Sequence, residues 1–253
     1  MKANIKSAVD NHSVWFRKNI MEFSGERVVE GGTPERIWLD HVARYEFAGR
    51  YVKRKHVLDI ACGTGYGCAI LCHSKAKEVI GGDIASETVQ FAYARYKMDR
   101  LKFKVCDILN IDFPENYFDV ITCFETIEHV KDQEKGLIEL RRVLKSKGLL
   151  IISSPNRKLT SAGKSITDPP NNPFHVKEYS TKEFISVLGN YFEILQFYGQ
   201  RGKSKFFFLP FLGRVIRNFL PSIYNPGRGR PDLERVSALK EYRYITAVCR
   251  KYA

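Results

Sequence analysis

A doubly wound α/β fold, a parallel sheet with helices on both faces, is what this 253-residue chain predicts, on three observations. Short β-branched runs alternate with helix-period segments through the middle of the chain, the pattern that builds a parallel sheet. One of those runs, VLDI, enters a glycine turn and then a helix. The composition, 44% hydrophobic and 27% charged, suits one sizeable core and excludes disordered, collagen-like and disulfide-scaffold classes.

In chain order, Pro34 to Ala48 reads as an amphipathic helix, with Pro34 at its start and the loop SGERVVEGGTPE (Ser24 to Glu35) before it. Strands are predicted over His56 to Ala61, Glu78 to Gly82, Lys102 to Cys106, Phe118 to Cys123 and Gly148 to Ser153. Between them Gly65 to Lys75, Ser86 to Lys97 and Lys131 to Leu144 read as helices; in the last, Leu137, Leu140, Val143 and Leu144 share one face. A polar loop, Pro155 to Glu178, follows, and a loop of that length is usually functional or mobile. Helix Thr181 to Leu188, strand Tyr191 to Tyr198, an insertion from Gly202 to Asp232 and a last strand at Tyr242 to Arg250 complete the reading.

Lys and Arg outnumber Asp and Glu by 41 to 28, a net charge of +13 that invites a nucleic-acid or anionic-membrane reading. The excess is uneven. From Arg201 onward twelve basic residues face Asp232, Glu234 and Glu241, so the last 53 residues carry +9. Six cysteines lie mostly in apolar runs without a Cys-x-x-Cys pair, which suggests neither a zinc ribbon nor a disulfide framework. With no apolar signal core and no run of 18 apolar residues, a cytoplasmic protein is expected.

In VLDIACGTGYG (Val57 to Gly67), Gly63 and Gly65 let the backbone turn sharply and approach a ligand, while the following helix presents unpaired N–H groups. A dinucleotide fingerprint would place a third glycine where Cys68 stands. Asp83 ends the second strand, 24 residues after Asp59, where a carboxylate can accept from two ribose hydroxyls, and Asp107 follows the third. With these in place the chain resembles the class I S-adenosylmethionine-dependent methyltransferases, strongly over Val57 to Asn156, with Ala61 in place of the usual first glycine. The resemblance implies a Rossmann-like fold, a seven-stranded mostly parallel sheet with an antiparallel last strand. It also implies S-adenosylmethionine as cofactor. Asp59, Ala61, Cys62, Gly63 and Gly65 would line its methionine end, Asp83 and Ile84 would hold ribose and adenine, Asp107 and Ile108 would face the adenine edge, and Phe124 would close the site.

After the fourth strand comes CFETIEHV. If Thr126 to Val130 begins a helix, Glu125, Glu128 and His129 fall on one face at the carboxyl end of the sheet. Methyl transfer to an aliphatic hydroxyl needs a positioned base or a Lewis-acid metal. Two roles follow. His129 acts as general base with Glu128 orienting it, or the E-x-x-E-H set binds a Mg²⁺-like ion. The second is implied by resemblance to ubiquinone-pathway O-methyltransferases and small-RNA 2'-O-methyltransferases; the latter use a later histidine, for which His175 is the candidate.

The flanks resemble bacterial sugar- and glycan-modifying methyltransferases, and Arg27 with Glu26 would form part of a lid over the cofactor or an exposed ion pair. Within the insertion, Phe211, Leu212, Val215, Ile216, Phe219 and Leu220 share one half of a helical wheel opposite Arg214 and Arg217, an amphipathic stretch of about 15 Å. It would cover the active site, join a dimer, or touch an anionic membrane through residues 206–220. The expected organisation is an N-terminal lid and helix (1–50), a cofactor core (51–200), a basic insertion (201–240) and a last core strand (241–253). The expected activity is O-methylation of a sugar, glycan or other small hydroxyl compound. A metal-assisted RNA 2'-O-methyltransferase and a non-catalytic regulatory protein of the same fold are the alternatives, with nucleic acid ranked below the small acceptor.

Overall fold

The computed structural model describes residue 21 and residues 27–204 and 232–252. Among the described residues eight strands form one sheet: β1 (His56–Ile60), β2 (Glu78–Asp83), β3 (Leu101–Val105), β4 (Phe118–Phe124), β5 (Leu144–Pro155), β6 (Glu193–Ser204), β7 (Glu234–Arg235) and β8 (Lys240–Arg250). Their order is β3-β2-β1-β4-β5-β8-β6-β7. The first five strands pair in parallel, and β8 inserts antiparallel between β5 and β6. The chain order reverses between β1 and β4, the crevice where open α/β sheets bind ligands.

Both faces of the sheet are buried, which is why its strands read as near-continuous apolar runs. Leu58 and Ile60 of β1 pack on one side with Ile121, Leu137, Leu140 and Phe184, under the helices Gln133–Val143 and Thr181–Gly189. Val57 points to the other side and joins Tyr45, Phe47, Ala48, Leu71 and Val79, under the helices Glu35–Ala48 and Tyr66–His73. Fully burying a side chain of this size stabilises by about 1.5–3 kcal/mol.

The helix ends have identifiable chemistry. Asp132 Oδ1 accepts from the Lys135 amide to start Gln133–Val143. Ser180 and Glu183 form a reciprocal capping box for Thr181–Gly189, and Arg157 donates to both Glu183 oxygens at 2.8 Å, tying the polar loop to that helix.

Several expectations are corrected. The sheet has eight strands rather than seven, because the two-residue β7 hydrogen-bonds to Tyr198 and Gly199 at the edge. Strand β6 continues to Ser204, its partner β8 being long enough to pair that far. Thr126 to Val130 does not begin an α-helix: Glu125 takes a positive φ of 49° and a single 3-10 turn spans Ile127–His129. The Pro155 to Glu178 loop holds a one-turn helix, Arg157–Thr160, and its ends meet at an Asn156–Tyr179 bridge. The amphipathic stretch at 206–220 and Glu26 lie outside the described residues.

Candidate active site

The turn after β1 places three residues at positive φ: Ala61 (56°), Gly63 (54°) and Gly65 (85°). Ala61 holds a conformation that costs a residue with a Cβ about 1–2 kcal/mol. The two glycines serve different ends. A Cβ on Gly63 would meet nothing within 4 Å, so its backbone faces open space; a Cβ on Gly65 would lie 2.8 Å from Ala92 Cβ and 2.9 Å from the Phe103 ring. Gly65 therefore lets the helix seat on the sheet, and Gly63 leaves room for a ligand.

Asp83 pins this turn. Its Oδ2 accepts from the Gly63 amide at 2.9 Å and its Oδ1 from the Ala85 amide at 3.0 Å. Asp59, one strand over, is fully buried and accepts from Thr122 Oγ1 (2.6 Å), Tyr45 Oη (3.1 Å) and Cys68 Sγ (3.1 Å). Burial pushes its carboxyl up to about 6 against those three donors, and the charge of Asp83 adds to the rise.

A cavity of about 820 Å³ opens over the carboxyl ends of the strands. Of the predicted cofactor residues, Ala61, Cys62, Gly63, Asp83, Ile84, Asp107, Ile108 and Phe124 line it. Asp59 and Gly65 do not; they sit behind the wall and shape it. Ile84, 69% exposed at the rim, and Asp107, whose Oδ1 accepts from the Leu109 amide at 2.8 Å, flank one end. This cradle fits S-adenosylmethionine: backbone without a Cβ at Gly63, a carboxylate at Asp83 and an apolar wall from Ile84 and Ile108. Arg27 also lines the cavity and stands 3.6 Å from Glu87.

Beside Phe124 the carboxylates and histidines separate into two groups. Glu125 Oε1 accepts from Ser153 Oγ at 2.6 Å, and Ser153 Oγ accepts from the Glu125 amide, so Glu125 is held on β5. Glu128, His129 and His175 come together instead, with ligand-capable atoms within 4.8 Å of one another. Glu128 is 1% exposed and neither carboxylate oxygen has a hydrogen-bond partner. Burial, then the nearby Glu125 charge, pushes its carboxyl well above the usual range.

The loop supplies the rest. The Glu128 carbonyl accepts from the Val176 and Lys177 amides, and His129 Nδ1 lies 3.0 Å from the Phe174 carbonyl. The two imidazoles meet edge to face with centroids 4.7 Å apart. His175 Nδ1 is 2.6 Å from Glu178 Oε1, and Glu178 Oε2 accepts from Thr160 and Ser161. Opposing burial, these bonds hold the Glu178 carboxyl below its ordinary value. One carboxylate with two imidazoles is a nitrogen-rich donor set that suits a transition metal better than Mg²⁺.

Sequence reasoning missed Tyr45, Thr122 and Cys68, which hold Asp59, and Glu178, which orients His175. It also missed the far wall of the cavity, where Arg243 and Tyr244 of β8 stand. The signals present were faint: an aromatic in the first helix, an acid three residues after His175, and the run YRY before the last strand's apolar half.

Comparisons with known proteins give the family. A "probable S-adenosylmethionine-dependent methyltransferase" of Mycolicibacterium smegmatis is 32% identical over 169 residues, 66% of this chain and 63% of that protein. The chain thus spans about three fifths of the relative's length. Ajmaline N-methyltransferase of Rauvolfia serpentina is 27% identical over 148 residues, 56% of this chain and 51% of that one. A solved protein of Pyrococcus horikoshii OT3 shares the fold, with a TM-score of 0.60 at 19% identity over 94% of this chain and 98% of its own. Residues 52–197 match the family model described as a methyltransferase domain, and the chain belongs to the S-adenosylmethionine-dependent methyltransferase family.

Proposed function

We propose that the protein transfers a methyl group from S-adenosylmethionine to a hydroxyl oxygen on a sugar, glycan or other small molecule. The observation that carries the reading is the Glu128–His129 pair on the cavity wall a few residues past Phe124. The cofactor supplies, when bound, an electrophilic methyl on a cationic sulfur.

The chain's own residues do the rest. Asp83 holds the ligand's ribose end, the Gly63 turn its methionine end, and Phe124 closes the wall beside the reacting region. An aliphatic hydroxyl is scarcely ionised at neutral pH, so its oxygen becomes a competent nucleophile only as a base removes the proton. His129 takes that proton at Nε2, since Nδ1 faces the Phe174 carbonyl and carries hydrogen in the tautomer that bond requires. Glu128, kept neutral by burial, stands beside the imidazole, and the proton taken from the hydroxyl stays on His129 until it passes to solvent.

A second reading seats a divalent cation at Glu128, His129 and His175, favoured by the two unpartnered Glu128 oxygens. A cation held there would lower the pKa of an acceptor hydroxyl. Equilibrium dialysis against Mn²⁺, Zn²⁺ and Mg²⁺ tests it: one ion per chain, lost in His175→Ala, supports the cation, and no retention of any ion removes it.

For the acceptor, a tritiated-methyl assay across nucleoside sugars, lipid-linked glycans, catechols and RNA is decisive, with the product hydrolysed to locate the label. Methyl on oxygen, lost in His129→Ala while S-adenosylhomocysteine still binds, is the expected result. Label on nitrogen or carbon, or undiminished turnover in that variant, overturns the proposal. Among the described residues no helix is long and apolar enough to cross a membrane.

A further inference from the structure

The cavity has a second end that the cofactor motifs leave unexplained. It lies beyond β5, where β8 runs antiparallel and Pro155 pairs with Tyr244. The Asn156 amide donates to the Arg243 carbonyl at 2.9 Å, which fixes Arg243 beside the start of the polar loop. Arg243 lines the cavity, yet its half-buried guanidinium has no hydrogen bond or ion pair among the described residues, and its Nε is buried without a partner.

A second guanidinium lies close by. Tyr244 carries the Arg243 guanidinium at 5.8 Å from its ring centroid and that of Arg44 at 5.1 Å. Arg44 is fully buried; Nη1 donates to Gln200 Oε1 at 2.7 Å, while Nε and Nη2 have no acceptor. Asp40, on the same helix, pairs through Oδ1 with Arg201 at 2.7 Å, while its buried Oδ2 has no hydrogen-bond partner. Two guanidinium groups thus share one aromatic ring with three buried N–H-bearing atoms unpaired. Leaving such donors without an acceptor is costly, and of the two groups Arg243 is the one that lines the cavity, where a ligand can complete it.

We propose that the methyl acceptor is an anion, and that Arg243 binds its carboxylate or phosphate at the β8 end of the cavity while Arg44, behind Tyr244, adds to the potential there. This rests on the methyl-transfer reading for what the ligand is, but not for the anion binding itself. A guanidinium presents parallel donors that match both oxyanions, and in a partly desolvated site that pairing is strong. The geometry also sizes the ligand. Strands β4 and β8 are two positions apart in the sheet, roughly 10 Å at about 4.8 Å per strand. The β4 and β8 walls of the cavity are therefore spanned by one charged monosaccharide or a molecule of similar length.

The test is calorimetry with glucose, glucuronate and glucose 6-phosphate as probes, with and without saturating S-adenosylhomocysteine, on wild type, Arg243→Ala and Arg243→Lys. Wild type is expected to bind glucuronate or glucose 6-phosphate at least about tenfold more tightly than glucose. The arm that wins identifies carboxylate or phosphate as the preferred group. Arg243→Ala should erase the gap and Arg243→Lys retain part of it, with S-adenosylhomocysteine affinity unchanged in both as the check on folding. Equal or undetectable binding of all three probes by wild type overturns the proposal, as does a gap that survives in Arg243→Ala. Failure of wild type to bind S-adenosylhomocysteine would instead defeat the methyl-transfer reading, leaving the anion comparison to be read without it.

Discussion

Asp59→Asn turns the buried carboxylate behind the glycine turn into a measurable quantity. Burial raises the Asp59 carboxyl to about 6, despite the Thr122, Cys68 and Tyr45 donors. In the unfolded chain the group titrates at about 3.9, so the two states differ by about 2 units, worth about 3 kcal/mol. The sign follows from proton counting. Between pH 4 and 6 the folded state holds a proton that the unfolded state has lost, so this contribution to stability falls as pH rises through that window and stays low above it. Asparagine carries no charge at any of these pH values, and its altered hydrogen bonds add only a constant offset. Urea unfolding of wild type and Asp59→Asn from pH 4 to 8 isolates the effect, since other titrating groups cancel in the difference. Wild-type stability minus variant stability should drop by about 2.4 kcal/mol across the series, most of that full difference. A difference that stays flat, or that climbs with pH, would show that the carboxylate is not desolvated as its surroundings require.

Other outcomes follow from single contacts. Gly67→Ala places a Cβ 2.0 Å from the Tyr45 ring, which must shift off Asp59; calorimetric melting should show a loss of about 3 kcal/mol, and an unchanged Tm would refute the close approach. Asp83→Ala removes the acceptor for the Gly63 and Ala85 amides, so S-adenosylhomocysteine affinity should fall by about tenfold or more, with Asp83→Asn intermediate; equal affinity would remove Asp83 from the cofactor site. Against burial, Arg157 and the Ser180 cap hold the Glu183 carboxyl at about 2, so its stabilisation is complete above about pH 4.5 and is lost as pH falls toward 2. Circular dichroism during acid titration should therefore show a shallower decline in Glu183→Gln than in wild type between pH 5 and 2.5.

The parallel half of the sheet was legible because burial on two faces demands runs such as HVLDI and FDVITCF, which little else explains. Gly63 and Gly65 announced the turn, since both need positive φ. The E-x-x-E-H cluster was legible in its members but not in its shape. A helical period predicts that Glu125 joins Glu128 and His129, whereas Glu125 takes a φ of 49° and its carboxylate is held by Ser153, 28 residues away on β5. Tyr45 and Thr122 were invisible for a similar reason: their hydroxyls meet Asp59 across elements, and nothing local to either residue records it. Strand β7 escaped because two exposed residues, Glu234 and Arg235, have no apolar alternation to read.

The seating of β8 between β5 and β6 also carries a consequence for how the protein is made. Translation delivers the cofactor turn, the Glu128–His129 pair and the polar loop well before residues 240–250 leave the ribosome. Until then β5 has an open edge in the middle of what becomes the sheet, and the cavity lacks the wall that bears Arg243 and Tyr244. A nascent chain at that stage is exposed to pairing with a neighbour of its own kind. Completion of one strand, inserted last into the interior of the sheet, closes the edge and finishes the pocket in the same event.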